Sequence, residues 1–161
     1  MSKNQILYEK VVKNNMPGYE NVDPEDLNME RLVEKAIAKV GDLKWVGPKN
    51  LPYDYEDDKS DAKTSSIKIP NTIKGTITST DSKEGALRCT VSNPFSPNQV
   101  DFFFIPIENV RDLETPVGGK KNAGGTAKKI DYSYNRDQNL YSHIEEFRCE
   151  SFEEMCNMKW L

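Results

Sequence analysis

Five carboxylates lie within eight residues of this chain, and a lysine follows the last of them closely. They are Asp54, Glu56, Asp57, Asp58 and Asp61, and the lysine is Lys63. Side chains of an extended strand alternate between its two faces, so Asp61 and Lys63 would point the same way. Clustered carboxylates repel one another unless a cation holds them together, and a nearby lysine can act on whatever that cation binds. The pattern favours metal-assisted phosphodiester hydrolysis, and a solvated acidic turn is the alternative.

The composition of the chain limits the classes of protein to consider. Its 161 residues predict a single domain over 1–161 with a modest core, because 36 % of them are hydrophobic and 30 % are charged. A formal net charge of -4 argues against coating nucleic acid through bulk charge. It leaves room for a DNA enzyme with one local basic surface.

The scarcity of histidine and cysteine excludes several chemistries. Three cysteines without Cys-x-x-Cys spacing predict neither a disulfide framework nor a zinc knuckle. The lone His143 cannot supply a metal finger that needs two histidines, and no nucleophile elbow accompanies it for a catalytic triad. With no long apolar run and no basic-then-apolar leader, we expect a soluble, cytoplasmic protein that does not enter membranes.

One helix precedes the acidic run and is the clearest predicted element. Asp23 suits its N-cap, Pro24 its first position, and Gly41 its end. Apolar residues recur between them at three- and four-residue spacing, which predicts a helix over about 24–40. Residues 1–22 show only a weak helical pattern, so they form either an N-terminal arm docked on the body or a frayed terminus.

Strand patterns fill the middle of the chain. Alternating or β-branched segments separated by Gly, Pro and Asn predict an antiparallel-rich sheet over about residues 43–107, backed by the helix, in an α+β fold. Residues 81–85 suit a hairpin turn between two of these strands, 73–80 and 86–92. The segment from Val100 to Ile107 is apolar on both faces, as a central strand would be.

Two further segments follow the predicted sheet. Residues 112–131 predict a long flexible loop rich in lysine and glycine, and its two Lys-Lys pairs suit contacts with a phosphate backbone; a plain linker is the alternative. Those lysines are Lys120, Lys121, Lys128 and Lys129. A capping box at Ser151 and Glu154 predicts a short C-terminal helix ending near Lys159.

Asp61-Ala62-Lys63, preceded by Pro52-Tyr53-Asp54, resembles the split signature of the PD-(D/E)xK nuclease superfamily, which has the restriction-endonuclease-like fold. In that family an upstream aspartate and the acid of the (D/E)xK motif bind the metal, and the lysine positions or activates water. A glutamate of the preceding helix often assists. The connection from Asp54 to Asp61 is tight for that hairpin, and the acid is Asp where Glu is commoner.

The resemblance implies a metal-dependent endonuclease that cuts DNA with Mg²⁺ or Mn²⁺. Lys63, Asp61 and Asp54 would be its catalytic residues, and Asp54 and Asp61 its metal ligands, with Asp58 or Asp57 in place of Asp54 as an alternative. Glu30 or Glu34 would be the helix glutamate. Cutting of both strands would favour a homodimer.

Two other functions remain open on the sequence. A non-catalytic nucleic-acid-binding module would use the lysine-rich loop and the aromatic residues near the C-terminus for backbone contact and stacking. An acidic interaction protein or inhibitor would present residues 54–61 to a basic partner, and Lys63 would then be incidental. Affinity for a divalent metal distinguishes the nuclease from both.

Overall fold

The chain forms an α+β fold in which helical segments precede and follow two four-stranded sheets. This computed structural model describes residues 2–47, 51–68, 73–95, 99–118 and 126–160. The helices are α1 (Lys3–Leu7), α2 (Lys13–Asn15), α3 (Met29–Gly41) and α4 (Phe152–Asn157). The strands are β1 (Asp61–Ser66), β2 (Lys74–Ile77), β3 (Ala86–Asn93), β4 (Gln99–Pro106), β5 (Thr115–Pro116), β6 (Lys128–Asn135), β7 (Leu140–Tyr141) and β8 (Arg148–Cys149).

Helix α3 is the helix predicted over 24–40, and it begins later than expected. Asp23 does cap a helix, but that helix is a single 3-10 turn, Pro24–Asp26, because Leu27 and Asn28 are extended. The side chain of Asn28 accepts the Arg31 amide at 3.2 Å and caps α3 instead. Asp23 and Asn28 are both good N-cap residues, so the sequence pattern alone predicted that the helix begins at the earlier one.

The N-terminal segment is a docked arm and not a frayed terminus. Helix α1 continues through a π-helical turn, Tyr8–Val12, into α2. The side chains of Leu7, Val11 and Val12 are fully buried in the same core as α3. Burial of apolar side chains at helical spacing holds this segment in place.

The first sheet has the strand order β1-β3-β4-β8, so β1 is its edge strand. Strands β3 and β4 are antiparallel, and the triple-phenylalanine strand β4 lies between β3 and β8, as its two apolar faces predicted. Strand β1 pairs with β3 in parallel, with Asp61 opposite Leu87 and Lys63 opposite Cys89. The sheet is therefore antiparallel-rich, as predicted, and β1–β3 is the one parallel pair among its described strands.

The second sheet has the order β2-β6-β5, and β7 pairs with the free part of β6. Strand β2 pairs with β6 and not with β3, so residues 81–85 do not close the expected hairpin. The two ends of the predicted 112–131 loop, β5 and the start of β6, pair with each other, so this stretch is partly strand; residues 119–125 lie outside the described part.

The fold has two hydrophobic cores, one on each face of the first sheet. One lies between α1, α3, α4 and the first sheet, and includes Val33, Ile37, Phe104 and Met155. The other lies between the sheets and includes Leu87, Phe103, Ile130 and Tyr132. Gly75 of β2 belongs to this second contact, because a Cβ there would lie 2.3 Å from the ring of Tyr132.

The C-terminal helix begins at the Ser151 cap that the sequence predicted, and it ends at Asn157, slightly before the expected Lys159. Ser151 Oγ accepts the Glu154 amide at 3.0 Å, but the Glu154 side chain accepts the Glu150 amide at 2.9 Å, so the second bond of the capping box goes to the residue before the cap. The three cysteines are free and buried. Within the described ranges, no helix is long and apolar enough to cross a membrane.

Candidate active site

The loop that carries the acidic run is fastened to α3 and closed on itself. Tyr55 is fully buried, and its hydroxyl donates to the Glu34 carbonyl at 2.7 Å. The amides of Asp54 and Tyr55 both donate to the Ser60 carbonyl, at 3.0 and 3.1 Å. These bonds explain how so short a connection brings Asp54 back beside the start of β1.

Asp54 and Asp61 form the acidic centre of the site. Because β1 is an edge strand, its Ala62 amide is free to donate to Asp54 Oδ2, at 2.8 Å. Burial raises the pKa of Asp54 to about 7, and the neighbouring negative charge of Asp61 contributes to the rise. Two carboxylates held together at a partly buried place create negative potential there.

Two lysines contact the same oxygen of Asp61. Lys63 Nζ lies 3.4 Å and Lys83 Nζ 3.2 Å from Asp61 Oδ2. Lys63 also donates to the Ser79 carbonyl at 3.4 Å, and Lys83 to the Pro52 carbonyl at 3.2 Å. Burial lowers the pKa of Lys63, although the charge of Asp61 opposes the change. Lys63 and Asp61 therefore meet on one face, as their spacing predicted.

Lys83 is the residue that the sequence did not single out. It lies in the turn before β3, in the segment interpreted as a hairpin loop. Because β1 and β3 are parallel, that turn returns the chain to the end of β1 where Asp61 begins the strand. A lysine in a polar turn carries no sequence signal of such a contact.

The two glutamates of α3 face the acidic centre to different degrees. Glu34 Oε2 accepts the Trp45 indole N–H at 3.1 Å, and burial raises the pKa of the Glu34 carboxyl. Glu30 is largely exposed and pairs with Lys3 at 3.5 Å. Of the two candidates for a helix glutamate, Glu34 is the one held beside Asp54 and Asp61.

These groups line one pocket with a volume of about 290 Å³. Its lining comprises Glu30, Glu34, Leu51, Asp54, Asp61, Ala62, Lys63, Thr64, Thr78 and Lys83. The four carboxylates outnumber the two lysines, so the pocket attracts further positive charge when all six groups are ionised. Over the part of the chain that the structure describes, no cluster of three or more Asp, Glu, His or Cys side chains is close enough to hold a metal.

Asp58 and Asp57, the alternative upstream ligands, lie outside this pocket. Asp58 is buried against Arg88, whose Nη2 donates to Asp58 Oδ2 at 2.8 Å. Asp57 Oδ1 accepts the Lys44 amide at 2.6 Å. The structure therefore corrects the assignment of Asp58 to a metal site, because an arginine already neutralises its charge.

The lysine-rich loop also lies apart from the pocket as far as it is described. Lys120 and Lys121 fall outside the described residues. Lys128 and Lys129 belong to β6, and Lys129 pairs with Asp131 at 3.1 Å. Neither of these two lysines lines the pocket.

No protein-family model matches the chain, and no curated protein matches its sequence. The function must therefore be inferred from the geometry and charge of the pocket itself.

Proposed function

We propose that this protein is a metal-dependent nuclease of the PD-(D/E)xK type, which hydrolyses DNA phosphodiester bonds with Mg²⁺ or Mn²⁺. One observation carries the proposal: a single pocket contains Asp54, Asp61 and Lys63, with Glu34 of α3 beside them. Three separate segments supply these residues, namely α3, the loop before β1, and β1 itself. A solvated acidic turn would not direct them into one cavity.

The donor set fits a small divalent cation. Mg²⁺ takes oxygen ligands, keeps several waters, and is usually held by one or two carboxylates together with substrate phosphates. Asp54 and Asp61 would provide those two carboxylates, and Glu34 is placed to support them. A site of this kind does not need three closely spaced acidic side chains. Burial and the negative charge of Asp61 together raise the pKa of Asp54, and a bound cation would relieve the repulsion between the two carboxylates.

The protein groups then have distinct roles in the reaction. Asp54 and Asp61 would hold the Mg²⁺, which would supply activation of water and compensation of the charge on the phosphate oxygens. Lys63 places an ammonium beside Asp61, where it would hold the attacked phosphate or orient the water. Lys83 contacts the same carboxylate oxygen and would keep Asp61 oriented before substrate arrives.

The burial of the acidic run disfavours the inhibitor hypothesis. A protein that offered residues 54–61 to a basic partner would expose their carboxylates. Asp58 and Asp61 are buried and Asp54 is partly buried, so only Glu56 and Asp57 are exposed. Two exposed acids form a poor match for an extended basic surface.

Cleavage of supercoiled plasmid and of single-stranded DNA, in Mg²⁺, Mn²⁺ or EDTA, tests the proposal. We expect cutting with either metal and none in EDTA. Lys63→Ala should reduce the rate by about 10²- to 10⁴-fold, the range for loss of a group that acts on the reacting atoms, while its circular dichroism spectrum stays that of the parent.

Lys39→Ala is the matched control, because Lys39 is an exposed lysine of α3 that does not line the pocket. It should cut like the parent. Absence of metal-dependent cutting on both substrates would overturn the proposal. Equal rates for Lys63→Ala and the parent would overturn the assignment of the lysine.

A further inference from the structure

A second pocket of about 460 Å³ adjoins the candidate active site. The two cavities share Glu30, Thr64 and Thr78, so they form one continuous depression along the edges of β1 and β2. No step of the proposed cleavage uses this extension. We call the part between the two strands the β1–β2 groove, defined by Thr64, Ser66, Lys68, Lys74, Thr76 and Thr78.

Strand alternation builds the groove from two matching rows. Thr64, Ser66 and Lys68 alternate with the buried Ser65 and Ile67, so they share one face of the chain that continues from β1.

On the other side, Lys74, Thr76 and Thr78 alternate with the buried Gly75 and Ile77. Each row therefore consists of two hydroxyl residues and one lysine. Alternation of polar and buried residues is expected of any half-exposed strand. The absence of acidic residues from both rows is not required by that alternation and is specific to this groove.

The rows run in opposite directions and have a defined orientation relative to the active site. An antiparallel bridge joins Lys68 to Lys74, with the Lys68 amide donating to the Lys74 carbonyl at 2.9 Å. Ser65 Oγ donates to the Thr76 carbonyl at 2.9 Å and fixes the floor. Thr64 and Thr78 thus lie at the active-site end, and the two lysines face each other at the far end.

The charge of the groove is opposite to that of the active-site pocket. Among the described residues, neither Lys68 Nζ nor Lys74 Nζ forms an ion pair or a hydrogen bond, and both side chains are exposed. Glu30 at the rim is paired with Lys3. Asp131 beside β2 is paired with Lys129 and accepts the Thr76 hydroxyl at 2.7 Å, and its charge also acts on Lys74. With Lys3, Lys68 and Lys74 against Glu30, the lining of the groove still carries a net positive charge.

We infer that the β1–β2 groove binds the phosphodiester backbone of the polynucleotide strand on one side of the cleaved bond, an inference that rests on the proposed nuclease function. Lysine ammonium groups and hydroxyls are the groups that contact phosphate and sugar without reading base sequence. With a strand rise of roughly 3.3 Å per residue, Thr64 and Lys68 lie about 13 Å apart. One strand of B-DNA advances about 3.4 Å along the helix axis per phosphate, and the distance between successive phosphates is longer than this rise, so a groove of this length spans only a few of them.

This placement differs from the one expected from the Lys-Lys pairs. Lys128 and Lys129 lie on β6, and Lys129 is engaged with Asp131. Lys68 and Lys74 are separated from each other by a Pro-Asn segment and carry no recognisable motif. Only the antiparallel bridge brings them to the two sides of one groove.

The test measures binding on a non-cutting background. The Lys63→Ala protein, with Mg²⁺ present, is titrated against fluorescein-labelled DNA by fluorescence anisotropy between about 50 and 200 mM salt. The label is placed on a single strand in one series and on a duplex in the other. When Lys68→Gln and Lys74→Gln are introduced into this protein, the slope of the logarithm of the binding constant against the logarithm of the salt concentration should become shallower. The expected change is about 1.4 for a single strand or about 1.8 for a duplex.

Lys10→Gln with Lys39→Gln is the matched control, because both lysines are exposed and lie outside the groove. This pair makes the same change of net charge and should alter the slope by much less. In cleavage assays on the Lys63-containing protein, the groove variant should raise KM and leave kcat near that of the parent, because the groove holds substrate away from the reacting atoms.

The outcomes separate the two proposals. Metal-dependent cutting with equal salt slopes for the groove and control variants would overturn the groove assignment and keep the nuclease. A reduced slope in a protein that cuts neither substrate would keep the groove as a strand-binding site and overturn the nuclease. Binding to neither label would overturn the groove assignment, whatever the cleavage result.

Discussion

Two aspartates of the same acidic run, Asp58 and Asp61, meet very different surroundings. Asp58 is enclosed: Arg88 donates to it at 2.8 Å, Ser60 Oγ at 2.5 Å, and the Trp160 amide at 3.1 Å. Asp61 shares its Oδ2 between two lysines and lies next to Asp54 at an open pocket. Asp58 and Asp61 are three positions apart, yet the first is neutralised by one arginine and the second lies in a pocket where acids outnumber lysines.

The difference indicates which carboxylates are available for chemistry. The hydrogen bonds that Asp58 accepts all stabilise its ionised form. Arg88 already supplies the positive charge that a metal ion would otherwise supply. At Asp61 the pocket holds four acids and two lysines, so a cation and an anionic substrate could both be accommodated. A cluster of carboxylates in a sequence is thus a weaker indication of a metal site than the hydrogen-bond donors that surround each carboxylate in the fold.

The sharpest test of this contrast is to remove the charge of each aspartate by the smallest change. Asp61→Asn should lower the cleavage rate by at least about a hundredfold, since a lost ligand costs no less than a lost supporting residue. It should destabilise the fold less than Asp58→Asn does, because the lost attraction to Lys63 and Lys83 is partly offset by relief of the repulsion with Asp54. The measurements are plasmid cleavage and urea denaturation of parent and variant.

Asp58→Asn is the partner of that variant. It should retain cleavage per folded molecule and lose stability instead. If Asp58→Asn removed cutting and Asp61→Asn did not, the two aspartates would have exchanged roles and the site assignment would be wrong.

The second prediction concerns the other half of the ion pair. Arg88→Met leaves Asp58 buried without a counter-charge and should lower the free energy of unfolding by about 3–5 kcal/mol. Arg88→Met combined with Asp58→Leu removes both charges and should be more stable than Arg88→Met alone. Urea denaturation of the single and double variants measures both effects. A double variant as unstable as Arg88→Met would show that the pair contributes through more than its charges.

The smallest effect is a pH dependence at the acid end. Burial alone would raise the pKa of Asp58, but bonds from Ser60 and Trp160 and the charge of Arg88 outweigh it and hold that pKa below its ordinary value of 3.8. A lowered folded-state pKa stabilises the fold above the unfolded value, and this contribution disappears as the pH falls through the folded value. The free energy of unfolding should therefore decline below about pH 4.

Asp58→Asn lacks this titration and is the control for it. Its free energy of unfolding should decline less steeply over the same acid range, measured as urea midpoints at a series of pH values. Parallel curves for parent and variant would contradict the lowered pKa of Asp58.

Local patterns predicted much of the fold. Apolar spacing indicated α3, the capping box indicated α4, and the double-sided apolar run indicated the central strand β4. Strand pairing was harder to predict from the sequence, because β2 pairs with β6, more than fifty residues away, and not with its neighbour β3. Neither the parallel β1–β3 pair nor the second sheet has a local signature.

The same distinction holds for the candidate site. Asp61 and Lys63 lie on one strand, so their two-residue spacing was enough to place them together, while their catalytic roles stay predictions. Asp58 was misassigned because its partners are remote: Arg88 is 30 residues away and Trp160 is 102. Lys83 was missed for the same reason, since only the parallel strand pair returns it to Asp61.

The bonds of Arg88 and Asp58 connect the loop beside the pocket to residues far along the chain. Arg88 Nη1 donates to the Met155 carbonyl at 2.6 Å, and the Trp160 amide closes on Asp58. Residues 155–160 are therefore part of the support of the loop that carries Asp54. A substitution or a proteolytic cut within residues 155–160 would therefore act on the pocket at a distance. It would loosen the loop that carries Asp54 without removing any residue that lines the pocket.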